Sequence, residues 1–275
     1  MSATATRPTE LVTNPALTEL APDLRDAYGR LLLFLADSEL VIGHRHSEWT
    51  GFAPSAEEDV AFSSIAQDEM GHAHLYYALM VGADSEDAVD ALALDRGPRQ
   101  MRHLPLLHAP NGDWFFTIAR HIFWDLFEEV LLSAATASSL PLLAGAAQRV
   151  QNEEVYHQEH AAQWLHLLSG RAPQRRRLAA QLVRVATIAG NPVSAAEGLT
   201  DLGVAGVIAP ADELAERFRA VTQDRLQSAG GWSGREWEPV GGALAARGSG
   251  ASPPGLFRLH KDLTGLRRAH AGASW

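Results

Sequence analysis

The chain has 275 residues, 46% apolar and 20% charged, enough to bury a sizeable core, and its net charge of −10 argues against general nucleic-acid binding, which needs a basic stripe. It contains no cysteine, which excludes disulfides, thiolate nucleophiles, Cys-based zinc sites and iron–sulfur clusters, so any redox chemistry draws its electrons from another protein. No apolar run approaches membrane-spanning length and the start "MSATATRPTE" lacks the layout of a secretory signal, so cytoplasm is the expected location, with no membrane and no nucleic acid as partner.

Residues 1–19 are small, polar and Pro-containing and read as a flexible arm. From about residue 20 to 49 apolar residues recur at helical spacing, with Leu32, Leu35 and Ile42 on one stripe. Ser55 followed by Glu58 is a capping-box signature opening a second helix that runs to about Val81. Residues 84–112, with "DRGPRQ" and "LPLLHAPNGD", read as a long crossover carrying short helical pieces. A third helix is predicted from near Asp113 to about Ser138. Ser139 is the expected N-cap of a fourth, which reaches Leu168 and closes at Gly170. Two helical hairpins joined by a long connection have the connectivity of a ferritin-like four-helix bundle, here over 20–170. An all-α extension follows over 171–275, with helices at about 174–189, 210–229 and 256–271 and a Gly/Ser/Pro-rich linker at about 240–255. The one basic run, "RAPQRRR" from Arg171 to Arg177, reads as a solvated helix start or as a contact to an anionic partner.

The second helix carries Glu69 and His72, spaced i, i+3, on the stripe Ile65, Glu69, His72, Tyr76. The fourth repeats the pair as Glu154 and His157, on the stripe Val150, Glu154, His157, Ala161, Trp164. A carboxylate-bridged dinuclear centre needs one such Glu-x-x-His pair from each of two helices and one carboxylate from each of the other two. Residues at equal height in an antiparallel hairpin lie equally far from its turn. The first turn centres near Pro54, fifteen residues before Glu69, and Glu39 stands fifteen residues on the other side. The second centres near Leu140, fourteen before Glu154, which asks for position 125 or 126, and Asp125 is there. Glu128 and Glu129 are alternatives to Asp125, although both sit nearer the turn than the rule asks. His46, Asp68, Tyr76 and Glu129 are candidates for holding the ligands in orientation. Burying four carboxylates without cations would cost several kcal/mol per charge. Two divalent metals balance them, and carboxylate with imidazole suits iron or manganese.

The runs "QDEMGHAHLYY" and "NEEVYHQEHAAQWLHLL", with "LADSELVIGHRHSEWTGFAPSAEEDVAF", resemble the bacterial phenylacetic acid catabolic family, the subunits of 1,2-phenylacetyl-CoA epoxidase. The likeness covers about residues 25–170 well and the C-terminal third more loosely. It implies one of two ferritin-like subunits. The catalytic one carries two irons and inserts an oxygen atom from O2 into the ring of an aromatic acyl-CoA, in aerobic phenylacetate degradation. An external flavin and iron–sulfur reductase supplies its electrons. The other is a structural scaffold that has typically lost ligands. "SEWTG" and the tail "RRAHAGASW" look more like the scaffold, whereas Glu39, Glu69, His72, Asp125, Glu154 and His157 match the catalytic pattern. The family's assembly makes a homo- or hetero-oligomer the expectation. Ferroxidase or iron storage and manganese catalase are further readings of the same ligand set.

Overall fold

The structure is a computed structural model and describes residues 11–82, 85–246, 248 and 252–270. In chain order its α-helices are α1 Pro15–Thr18, α2 Pro22–Ser47, α3 Ala56–Val81, α4 Glu86–Asp90, α5 Trp114–Ala135, α6 Pro141–Ser169, α7 Ala172–Ala189, α8 Leu199–Val204, α9 Ala211–Ser228, α10 Gly234–Ala245 and α11 Leu256–Ala269. A π-helical turn, Ala91–Asp95, and two 3-10 turns, Pro98–Gln100 and Pro192–Ser194, lie between them. The described residues form no β-strand, and no helix among them is long and apolar enough to cross a membrane. The fold class is all-α, with the two long hairpins and long crossover of a ferritin-like bundle.

The chain divides into two compact units, residues 1–110 with 253–275, and residues 111–252. The expected boundaries at 19/20 and 170/171 are not where these units part.

The first unit is built on the hairpin of α2 and α3. Ser55 accepts a hydrogen bond from the Glu58 amide and sets the first turn of α3. Gly43 permits close approach of the helices, since a Cβ there would lie 3.0 Å from Cβ of Glu69 and 3.1 Å from the Ala66 carbonyl oxygen. Of the expected arm, residues 1–10 lie outside the described residues, but 11–19 are tied down. The amides of Thr13 and Asn14 donate to the Met80 carbonyl, and Val12 and Leu17 are buried. The apolar Val12 and Leu17 outweigh the polar composition that surrounds them.

The crossover is anchored by a buried polar knot. Asp37 on α2 accepts from the Tyr77 hydroxyl at 2.5 Å, from the Arg96 guanidinium at 2.9 Å and from the Arg102 amide at 2.5 Å. Helix α11 returns to this region: Arg267 pairs with Asp90 and Asp95, and the His260 ring nitrogen Nε2 meets the Arg96 carbonyl at 2.7 Å. Gly255 starts that return with φ 116° beside Arg45, a conformation only glycine adopts without strain.

In the second unit α5 lies against α6, α7 and α9, and is buried on nearly all sides from Phe116 to Leu132. Asp113 caps it by accepting from the Phe116 amide at 2.9 Å. Helix α6 is capped at Leu140 rather than Ser139, because Pro141 supplies the first helical residue and the Ser138 hydroxyl accepts from the Leu140 amide. Gly170 does close α6, with an ordinary right-handed φ of −62°.

The expected linker at 240–255 holds helix instead over its first residues. Ser233 and Glu236 form a capping box, and Val240 and Leu244 are buried where α10 meets α7. Gly241 has a structural use, since a Cβ there would lie 2.8 Å from the Trp237 ring. A glycine pair and an internal Pro239 hide this helix from a reading by composition.

Candidate metal centre

In the first unit the stripe Leu32, Leu35, Glu39, Ile42, His46 of α2 is wholly buried, as is Ile65, Glu69, His72, Tyr76 of α3. The period that sends the aliphatic side chains inward therefore sends the carboxylates and imidazoles inward with them. Glu39, Glu69 and His72 each offer a ligand atom within 4.8 Å of the others. The His72 Nδ1 lies 3.9 Å from Glu39 Oε2, and His46 Nδ1 lies 3.8 Å from Glu69 Oε1. His46, one of the residues the sequence offers as a partner of the ligands, thus lies beside Glu69. Tyr76 is buried and Asp68 half-buried.

The second unit presents a matching group. Asp125, Glu128 and Glu154 bring ligand atoms within 4.8 Å of one another, and all three are buried. His157, fully buried, places Nδ1 2.9 Å from Glu154 Oε1. Burial, reinforced by the Glu154 charge, holds the Asp125 carboxyl well above the usual carboxylate range, against the opposing pull of His157 and His160. A cation beside this carboxyl would favour its ionised form.

Two residues without an assigned role in the sequence complete this region. His121 puts Nδ1 3.2 Å from Asp125 Oδ1, and its Nε2 lies 3.2 Å from His160 Nδ1. Their rings meet edge to face at 5.3 Å. The signal was present as the i, i+4 spacing of His121 and Asp125 on one helix. Glu128, weighed only as an alternative ligand, joins Asp125 and Glu154. Glu129 instead turns outward and pairs with Arg225 on α9 at 2.9 Å. Helix α5 is apolar on most of its circumference, so periodicity could not choose between Glu128 and Glu129.

The donor sets fit divalent iron or manganese: hard carboxylate oxygens, one imidazole in each unit, and a water-excluded setting.

Residues 13–275 match the family model described as phenylacetic acid catabolic protein. Over 136 residues the chain is 35% identical to one of the subunits of the 1,2-phenylacetyl-CoA epoxidase of Escherichia coli (strain K12), an alignment covering 50% of this chain and 55% of the relative. The chain thus spans about half the length of the curated relative it matches. With nearly the whole chain inside the family model, this protein belongs to the phenylacetic acid catabolic protein family.

Proposed function

We propose that the chain is a subunit of an oxygenase of the 1,2-phenylacetyl-CoA epoxidase type, and that its two carboxylate–histidine groups are the ligands of two iron ions. The observation that carries this reading is the burial of Glu39, Glu69, His72, Asp125, Glu154 and His157 at 1% exposure or less. Buried carboxylates without a cation are costly, and two divalent metals balance four of them. Glu69 and Glu154 would be carboxylate ligands of the metals. His72 and His157 would each bind through a neutral ring nitrogen, and Glu39 and Asp125 would complete the set, with Glu128 beside Asp125. The centre, when bound, supplies O2 activation for insertion of one oxygen atom into the ring of an aromatic acyl-CoA. The chain's own residues would hold the metals, orient the Glu69 and Asp125 carboxylates through their neighbours His46 and His121, and exclude water. Electrons would come from a separate reductase, and a cytoplasmic place in an oligomer with another ferritin-like subunit goes with this reading.

A second reading, a scaffold subunit of the same complex, is favoured by the tip of the α2–α3 hairpin. Phe52 is 79% and Val60 67% exposed there. Asp59 fixes the tip by accepting from the amides of Gly51 and Ala53 at 3.0 and 3.1 Å. A held apolar projection suits contact with a partner protein.

The deciding experiment is metal analysis of protein expressed with ample iron, beside a Glu69→Ala/Glu154→Ala double variant. About two irons per chain, lost in the variant, are expected from the ligand set. Well-folded protein holding neither iron nor manganese would overturn the metal centre and leave the scaffold.

A further inference from the structure

The chain has four asparagines, and one of them, Asn111, is followed by glycine. Asn14 and Asn191 precede proline, which has no backbone N–H, and Asn152 precedes Glu153 inside α6, where helical hydrogen bonds hold the backbone amides. Asn111 and Gly112 lie just before α5, within the second unit. Asn111 is half-buried, and Gly112 is exposed with φ 64°. The stretch is tied to the first turns of α5. The Thr117 hydroxyl donates to the Asn111 carbonyl at 3.2 Å, and Asp113 caps the helix. Arg120, fully buried, donates from Nη2 to Asn111 Oδ1. A guanidinium has donors only, so the side-chain oxygen of Asn111 faces it and not the nitrogen. The Gly112 amide makes no hydrogen bond among the described residues.

We propose that Asn111–Gly112 is a self-modification site, where the asparagine loses ammonia and becomes an acidic residue facing Arg120. In the first step the Gly112 nitrogen attacks Cγ of Asn111. A C–N bond forms, the Cγ–Nδ2 bond breaks, and ammonia leaves with the proton of the Gly112 amide. Water then opens the five-membered succinimide at either of its carbonyls, giving aspartate or isoaspartate, with one water consumed for each ammonia released. Three observations support the step. Glycine has no side chain to crowd the attacking nitrogen, and no hydrogen bond must be broken to use it. The Arg120 donor withdraws charge from the Asn111 side-chain carbonyl and stabilises the oxyanion formed there, as fixed donors do in acyl transfer. The product then sets a carboxylate against a guanidinium that the fold already holds in place, and such a charge-assisted bond is roughly twice as strong as a neutral one.

The test incubates the full-length protein in mildly alkaline buffer, beside the same chain unfolded in urea. Anion-exchange chromatography reads the added charge, and peptide mass spectrometry locates it. The folded protein is expected to yield a species more acidic by one charge and heavier by one mass unit, with the change at Asn111. It should form no more slowly than in the unfolded chain, where Arg120 has no fixed place. Asn111→Gln, whose longer side chain closes the ring poorly, should yield none. Arg120→Met should slow the conversion about tenfold or more, the loss of one oxyanion donor. If that variant fails to fold by circular dichroism, the comparison with the unfolded wild type carries the test of Arg120. Asn111→Asp, a mimic of the product, should melt at or above the wild type. An acidic species that maps elsewhere, or slower conversion in the folded protein than in the unfolded chain, overturns the site. Wild-type conversion in a folded Arg120→Met protein overturns the part given to the guanidinium, and a lower melt of Asn111→Asp overturns the pairing of the product.

Discussion

His121 sits one helical turn before Asp125, with its Nδ1 3.2 Å from Asp125 Oδ1, and its other ring nitrogen faces His160. All three side chains are buried. An imidazole at this distance from one carboxylate oxygen limits how the group can turn, which suits a ligand when no solvent is present to reorient it. The arrangement matters before any metal arrives, because orienting the ligand beforehand lowers the ordering cost of binding.

His121→Ala is therefore expected to weaken metal binding about 10- to 100-fold, the usual loss when a partner of a metal ligand is removed, while the fold persists. Competition with a chromophoric chelator measures this directly, with circular dichroism as the control for folding. Unchanged affinity would show that packing alone orients Asp125.

Charge balance gives a second expectation, opposite in sign for the two states of the protein. In chelator-treated protein, Glu154→Gln and Glu128→Gln each remove a negative charge from a buried cluster of carboxyls. Each should leave the melting temperature equal to or above that of metal-free wild type, because it relieves repulsion among the crowded carboxylates of Asp125, Glu128 and Glu154. With iron added, Glu154→Gln should fall below wild type, since a ligand that binds only the folded state stabilises it by mass action. Thermal melts with and without metal separate the cases. A Gln variant that loses stability in both states would mean its carboxylate is satisfied by the protein itself.

Much of this site was legible because an antiparallel hairpin converts sequence distance into height. Each residue advances its helix by about 1.5 Å, so counting outward from the turn at Pro54 paired Glu39 with Glu69, and these two with His72 lie within 4.8 Å. The same count from Leu140 reached Asp125, which lies with Glu154. Glu128 and His121 were not legible in that way. Helix α5 is buried almost all round, so its sequence carries no contrast between an inner and an outer face. Helix α10 was hidden by Pro239 and a glycine pair, and its stability comes from a capping box and from Val240 and Leu244, not from intrinsic propensity. The knot at Asp37 depends on Arg96 and Arg102 in the irregular crossover, where no period relates sequence to space.

That knot yields a stability prediction far from any ligand. Asp37 is fully buried, and Arg96, Tyr77 and the Arg102 amide all converge on it. Arg96→Leu removes the compensating charge and leaves the carboxylate stranded, which should cost about 3–5 kcal/mol. Asp37→Leu/Arg96→Leu together should recover part of that loss, because no charge is left unpaired, while the Tyr77 hydroxyl and the Arg102 amide lose their acceptor. Urea denaturation of the three variants measures both. A single-variant loss below about 1 kcal/mol would contradict the account, being the size expected of an exposed pair.

His103 supplies the pH dependence. Its Nε2 lies 2.6 Å from His108 Nδ1, and His108 Nε2 lies 3.0 Å from the Pro253 carbonyl oxygen. His108 donates to that carbonyl, which leaves its Nδ1 to accept from His103. Burial, then the charge that His108 would carry, push the His103 pKa down to about 3, against the pull of Asp37. The unfolded chain takes up a proton near pH 6.5, whereas the folded chain resists it to about pH 3. The unfolded state therefore binds more protons throughout that window, and stability rises with pH. The contribution is fully present above about pH 6.5 and is lost as pH falls toward 3. His103→Gln, which keeps a donor toward His108 but does not titrate, should flatten this part of the curve. Denaturation midpoints of wild type and variant at pH 7.5, 6, 5 and 4 test it: the two proteins should diverge most steeply from pH 6 downward, with the wild type losing more. Parallel curves would place the proton uptake on another group.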